Sequence, residues 1–142
     1  MASTKHVTWI SVVCLGLAFV WYTLRLIFDE ADVERGTYGF YLLITPVVRE
    51  LPTYKITNGE KARYTNHIGG SAPAYDGLYY CAAAEVSDVV GFFDGYFKKR
   101  GYSVERFEWG QSYTDRKHQM HLAIKRDEFC KSQVQLEHFE IR

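Results

Sequence analysis

The longest unbroken apolar pattern lies near the start of the chain. Val7 to Leu24 is eighteen residues without a charged side chain. As a helix it reaches roughly 27 Å at about 1.5 Å per residue, against a bilayer core of about 30 Å. Continuing through Arg25 to Phe28 completes a span. Trp9 lies near its start, and Trp21 and Tyr22 near its end, where amphipathic rings suit the interface. Arg25 can extend its charge outward along its own stem. A cleavable signal peptide has a shorter apolar core and small residues at the cut; Tyr22 to Phe28 has no small-x-small site. The pattern predicts an uncleaved, single-pass transmembrane anchor over 7–28. Residues 1–6 are then a short cytoplasmic tail, and the C-terminal part lies outside the cytoplasm, in the periplasm where the cell has one.

After the anchor the periodicity changes. Residues 29–53 read as a juxtamembrane linker carrying one apolar run, Tyr38 to Thr45, stopped by Pro46. That run is too short to span a bilayer. It fits a buried strand or a segment lying on the membrane surface, and periodicity does not separate the two. Pro46, Pro52 and Asn58-Gly59 mark turns. Lys61 to Ile68 and Leu78 to Ala83 read as strands. Val86, Val89, Val90, Phe93, Tyr96 and Phe97 recur at three- and four-residue spacing, which predicts a helix with one apolar face. Ser87 is its expected N-cap, Asp88 suits the positive end of its dipole, Lys98-Lys99-Arg100 suits the other end, and Gly101 is its expected C′ residue. Gly91 and Gly95 inside it suggest either close backbone approach to a neighbour or tolerated surface positions. Three more strands follow: Tyr102 to Trp109, His118 to Arg126, and Gln133 to Ile141. In the last, Val134 and Leu136 share one face while Phe139 and Ile141 share the other, which suggests a bulge near His138.

The predicted architecture is α+β. One transmembrane helix precedes a small antiparallel sheet with one helix packed on it, in β-β-α-β-β-β order, and residues 54–142 form the extracytoplasmic domain. The 114 residues after Phe28 suffice for one domain. Of the 17 basic residues, Lys5 and Arg25 precede this part; the 15 left against 17 acids give a net charge of −2. That balance argues against nucleic-acid binding. Cys14 falls inside the span, leaving Cys81 and Cys130 as the only pair in the soluble part. In an oxidising compartment they can join; otherwise they are two separate thiols.

No constellation names a reaction. Gly69-Gly70-Ser71-Ala72-Pro73 lacks the lysine and the strand–loop–helix register of a phosphate loop. Ser112 and Ser132 read as loop residues with no positioned base. His118 and His121 are three apart on a strand and so face opposite ways. A hairpin centred between Arg126 and Gln133 would set His121 opposite His138, a pair able to take a transition metal or act as a pH switch; solvated strand histidines are the alternative. The chain is expected to be no enzyme and to need no cofactor or metal. Its expected partner is another protein: a soluble toxin or enzyme for an immunity or inhibitor protein, or the other members of a membrane complex for an accessory or assembly subunit. A small-ligand or metal sensor near His121 and His138 is the reading from a different class. Rigid aromatics favour protein-binding surfaces, so Tyr102, Phe107, Trp109 and Tyr113, after the helix, are the candidate contact residues.

Overall fold

The computed structural model describes residues 13–23, 30–67, 73–126 and 128–141. Residues 13–23 are helical, here α1. Val13, Leu15, Leu17, Phe19, Val20, Trp21 and Tyr22 are each more than half exposed, and none joins the hydrophobic core. Among the described residues no helix is long and apolar enough to cross a membrane. The ends of the predicted span, with Trp9 and Arg25, and the tail 1–6 lie outside the described residues.

The rest of the chain builds one seven-stranded antiparallel sheet. Its strands are β1 (Glu30–Glu34), β2 (Arg63–His67), β3 (Tyr75–Ala82), β4 (Ser103–Phe107), β5 (Gly110–Thr114), β6 (His118–Lys125) and β7 (Ser132–Glu140). Their spatial order is β1-β2-β3-β7-β6-β5-β4. Two meanders, β1 to β3 and β4 to β7, therefore meet along a single seam where β3 pairs with β7. Three helices, α2 (Tyr38–Leu43), α3 (Pro46–Arg49) and α4 (Val86–Lys98), complete the fold. α4 carries the chain from β3 at the seam to β4 at the far edge. Thirteen residues of helix measure about 20 Å, and four strand spacings measure about 19 Å, so the helix length matches the crossing.

The core lies between these helices and one face of the sheet. Phe40 of α2 packs edge-on to Tyr64 of β2 with centroids 4.7 Å apart. Phe97 of α4 stacks on Tyr113 of β5 at 4.3 Å. Val48, Leu78, Val89, Phe93, Met120, Leu122, Val134 and Leu136 fill the space between. α4 ends as expected. Gly101 adopts φ +83°, its N–H donates to the Lys98 carbonyl, and the Tyr102 N–H donates to the Phe97 carbonyl, the two bonds of a Schellman cap. Asn58-Gly59 makes its turn, with Gly59 at φ +86° and the Glu60 N–H bonded to the Thr57 carbonyl.

Several expectations are corrected. From β1 onward the order is β-α-α-β-β-α-β-β-β-β, which adds β1, α2, α3 and β5 to the expected elements. The stretch 29–53 is no linker: β1 pairs with β2, and Phe40, Ile44, Val48 and Leu51 enter the core, so the folded unit takes in residue 30 onward. Of the two readings of the run from Tyr38, the strand is excluded, since Tyr38–Leu43 is helical. The residue at the N-cap of α4 is Glu85, not Ser87. Nothing lies within 4 Å of a Cβ added at Gly91 or Gly95, so these glycines mark no close approach. β7 carries no bulge. Its register with β6 is continuous from His118↔Glu140 to Lys125↔Gln133, and His138 continues the buried series Val134, Leu136.

Candidate functional site

Alternation along the strands divides the sheet into a helix-covered face and a second face. α2, α3 and α4 pack on the first, so among the described residues the second is left open. A row of rings crosses it. His67 of β2 stacks on Tyr75 of β3 with centroids 5.3 Å apart, and Tyr75 meets Phe139 of β7 at 5.8 Å. Phe139 meets His121 of β6 at 4.8 Å. His121 meets Trp109, in the β4–β5 turn, at 5.4 Å, and Trp109 stacks on Phe107 of β4 at 5.0 Å with planes 4° apart. Each distance lies in the range of favourable ring contacts. The six rings together reach from the second strand of the sheet to its far edge. Burial lowers the His121 pKa below its usual value, and the Glu137 carboxylate across the ladder partly opposes this.

Two local features hold the row. Gly110 turns the β4–β5 hairpin so tightly that a Cβ there would run into the Leu122 carbonyl oxygen of β6, so the turn carrying Trp109 lies over β6. Beside the rings, the Tyr79 hydroxyl donates to Glu137 Oε1 at 3.1 Å, and Gln135 Nε2 donates to the same oxygen at 2.6 Å. Burial, then the Glu137 carboxylate, raises the Tyr79 pKa above the normal phenol range. These groups fix each other and present a polar strip next to an apolar one.

The four aromatics selected from sequence separate between the faces. Phe107 and Trp109 stand on the open face, 45% and 55% exposed. Tyr113 does not: it is fully buried beneath Phe97, with its hydroxyl 2.9 Å from Asp94 Oδ1 and 2.7 Å from the Gln111 side-chain amide. Asp94 in turn pairs with Arg106 at 3.0 Å. Tyr102 sits on the covered side at the start of β4, half-buried, edge-on to Phe97 at 5.1 Å. Burial, then Asp115, raises its pKa to about 12. Trp21 and Tyr22 of the anchor set lie on α1.

Cys81 and Cys130 are joined by a disulfide. It ties the end of β3 to the loop before β7 at one end of the seam. The opposite end carries a polar chain. Asp76 Oδ2 accepts the Thr45 N–H at 2.6 Å, Asp76 Oδ1 accepts from His138 Nδ1 at 2.8 Å, and His138 Nε2 lies 3.0 Å from His118 Nδ1. With the His138 Nδ1 proton directed at Asp76, a single proton is shared between His138 Nε2 and His118 Nδ1, and either ring can be its donor. Asp76 and His138 are both buried. Asn66 Nδ2 donates to the Leu43 carbonyl at 2.8 Å, so two side chains of the sheet clasp the α2–α3 junction. An open cleft of ≈ 640 Å³ lies alongside, lined by Thr45, Asn66, Asp76, His138 and Phe139. The Thr45 hydroxyl also lies 3.4 Å from His138 Nδ1, so Thr45 meets the chain through both its backbone and its side chain. The clear action of this polar chain is mechanical.

The expected His121–His138 pair is corrected. His138 stands opposite Met120, and His121 opposite Glu137, so the two imidazoles lie on opposite faces and cannot share an ion. Among the described residues no three His, Cys, Asp or Glu side chains are gathered to hold a metal. Asp76 was missed, although the sequence carried a signal for it. In Tyr75-Asp76-Gly77-Leu78-Tyr79-Tyr80 it shares the strand parity of Leu78 and Tyr80, and an acid at a core position demands a buried partner.

No protein-family model matches the chain, and neither any curated protein nor any solved structure is significantly similar to it.

Proposed function

We propose that this is a membrane-anchored protein-binding module. Its domain stands outside the cytoplasm and offers the helix-free face of the sheet to a protein partner. The observation that carries this reading is the continuous ring row from His67 to Phe107 on a face that the domain's helices leave open. Large rigid rings, an adjoining polar strip and partial exposure are the composition of a contact surface. The all-round exposed apolar helix α1, within the uncharged stretch Val7 to Leu24, supports the anchor. The disulfide supports an oxidising compartment. The module acts either as an immunity or inhibitor protein that holds a soluble toxin or enzyme at the membrane, or as an accessory subunit of a membrane complex.

Affinity purification of the full chain from native membranes in mild detergent, beside the Trp109→Ala variant, tests this. The expected result is a stoichiometric protein partner that is retained by the wild type and lost from the variant. A secreted partner identifies the inhibitor role, and integral membrane proteins identify the subunit role. A partnerless preparation, or one whose partner ignores Trp109→Ala, overturns the assignment of the face.

A further inference from the structure

The second unclaimed surface is the outer side of α2. Tyr38, Tyr41 and Leu42 are 87%, 60% and 75% exposed. Their i, i+3, i+4 spacing puts all three on one face. Phe40, on the opposite side, is buried against Tyr64. The helix is held rigidly in this attitude. Thr37 caps its first turn, accepting from the Phe40 N–H, and Asn66 and Asp76 bond the Leu43 carbonyl and the Thr45 N–H at its other end. Gly39 lets it lie close on β1, since a Cβ there would meet Val33 Cγ1 at 2.9 Å. Three large apolar side chains are therefore presented outward by design of the surrounding contacts.

We infer that this face of α2 rests in the lipid interface beside the anchor and fixes the domain's orientation on the bilayer. The inference rests on the anchored reading and adds to it. Position in the fold supplies the argument. β1 opens at Glu30, seven residues beyond Thr23, where the described part of α1 ends, and seven residues span about 25 Å at most. The Glu30 end of the sheet is thus tied close to the anchor. The register runs Ala31↔Asn66, Asn66↔Asp76 and Asp76↔His138 across that same end. Asn66 and Asp76 are the residues that hold Leu43 and Thr45. The C-terminal end of α2, with Tyr41 and Leu42, is therefore brought back to the end of the sheet where the anchor joins. Tyrosine favours the headgroup region and leucine the acyl boundary. The Arg49 guanidinium, 5.8 Å from the Tyr41 ring centroid, puts a cation beside the face that suits phosphate headgroups.

The test uses the full chain in vesicles of phosphatidylcholine and phosphatidylglycerol. With Cys14 replaced by Ala, a nitroxide is attached at one of three introduced cysteines: Leu17→Cys in α1, Leu42→Cys in α2, or Lys98→Cys at the exposed end of α4. Collision with oxygen, which concentrates in lipid, is compared with collision with a water-soluble nickel chelate. The expected result is that oxygen dominates at positions 17 and 42 and nickel dominates at 98. Nickel dominance at 42 with oxygen dominance at 17 overturns the seating of α2 and leaves the anchor standing. Nickel dominance at both overturns the two together. A label at 42 reached by neither probe means that protein, not lipid, covers the face, and also overturns the inference.

Discussion

The two ends of the β3–β7 seam do the same job by different chemistry. Both join the N-terminal meander to the C-terminal one. At the Ala82 end the join is covalent, Cys81 to Cys130, and salt bridges from Glu85 to Arg126 and Lys131 add little because all three are well exposed. At the Asp76 end the join is a buried chain of hydrogen bonds that also clasps the α2–α3 junction. The first end responds to reductant and is indifferent to which side chains neighbour it. The second is indifferent to reductant but depends on every donor and acceptor staying paired. A fold of this kind tolerates a change of redox state at one end or a lost hydrogen bond at the other, while the regular ladder between them, from Gly77↔Glu137 to Cys81↔Gln133, remains.

The largest effect is expected from breaking the covalent end. Cys130→Ser opens a link spanning a sequence separation of 49, worth about 4 kcal/mol in the chain-entropy account. Urea unfolding should show this loss, and reductant should reproduce it in the wild type while leaving the variant unchanged. Asp76→Asn comes next. It removes a charged acceptor from two donors in a buried site, for a loss of about 2–3 kcal/mol that reductant does not alter. The double variant sharpens the comparison. The ends are separated by six residues of strand, about 20 Å, so the two losses should add within about 0.5 kcal/mol; a larger discrepancy means the seam opens as one unit.

Away from the seam, Tyr113→Phe should cost about 1 kcal/mol by leaving Asp94 with Arg106 alone. The smallest effect belongs to pH. The lowered pKa of His121 means that the unfolded chain takes up this proton first. Its contribution is intact above the ordinary value near 6.5, and is lost as pH falls from there toward the lower folded value. Melting temperatures taken between about pH 7.5 and 5.5 should therefore decline less steeply in His121→Gln than in the wild type.

Much of this architecture was legible in the residues. α4, its Gly101 stop, β6 and β7 announced themselves because each has one apolar face and a marked end. β1 and β5 did not. Glu-Ala-Asp-Val-Glu has a single large apolar side chain, and Gly-Gln-Ser-Tyr-Thr buries Gln111 and Ser112 by hydrogen bonding and close packing, not by hydrophobicity. Six residues of α2 are too few for a period to appear. The error at His138 is the most instructive. Apolar Phe139 and Ile141 fall on the face opposite Val134 and Leu136, and that switch is what suggests a bulge. The open face is itself lined with rings, so binary pattern could not tell one side from the other. The expected hairpin register is off by one residue, and a one-residue slip moves every side chain across the sheet. That slip set His121 opposite His138 and hid the true neighbours, Asp76 and His118. Of the candidate contact residues, Phe107 and Trp109 are exposed, as their type and position suggest; burial of Tyr113 depends on a long-range contact with α4 that no local pattern encodes.

The central claim, that the helix-free face meets the partner, is tested most directly by photocrosslinking in native membranes. A photoreactive residue replaces Trp109 or Phe139 on the open face, or Lys98 on the helix side. The account predicts one protein adduct shared by positions 109 and 139 and absent at 98. Adducts at 98 alone, or equally at all three, would contradict it.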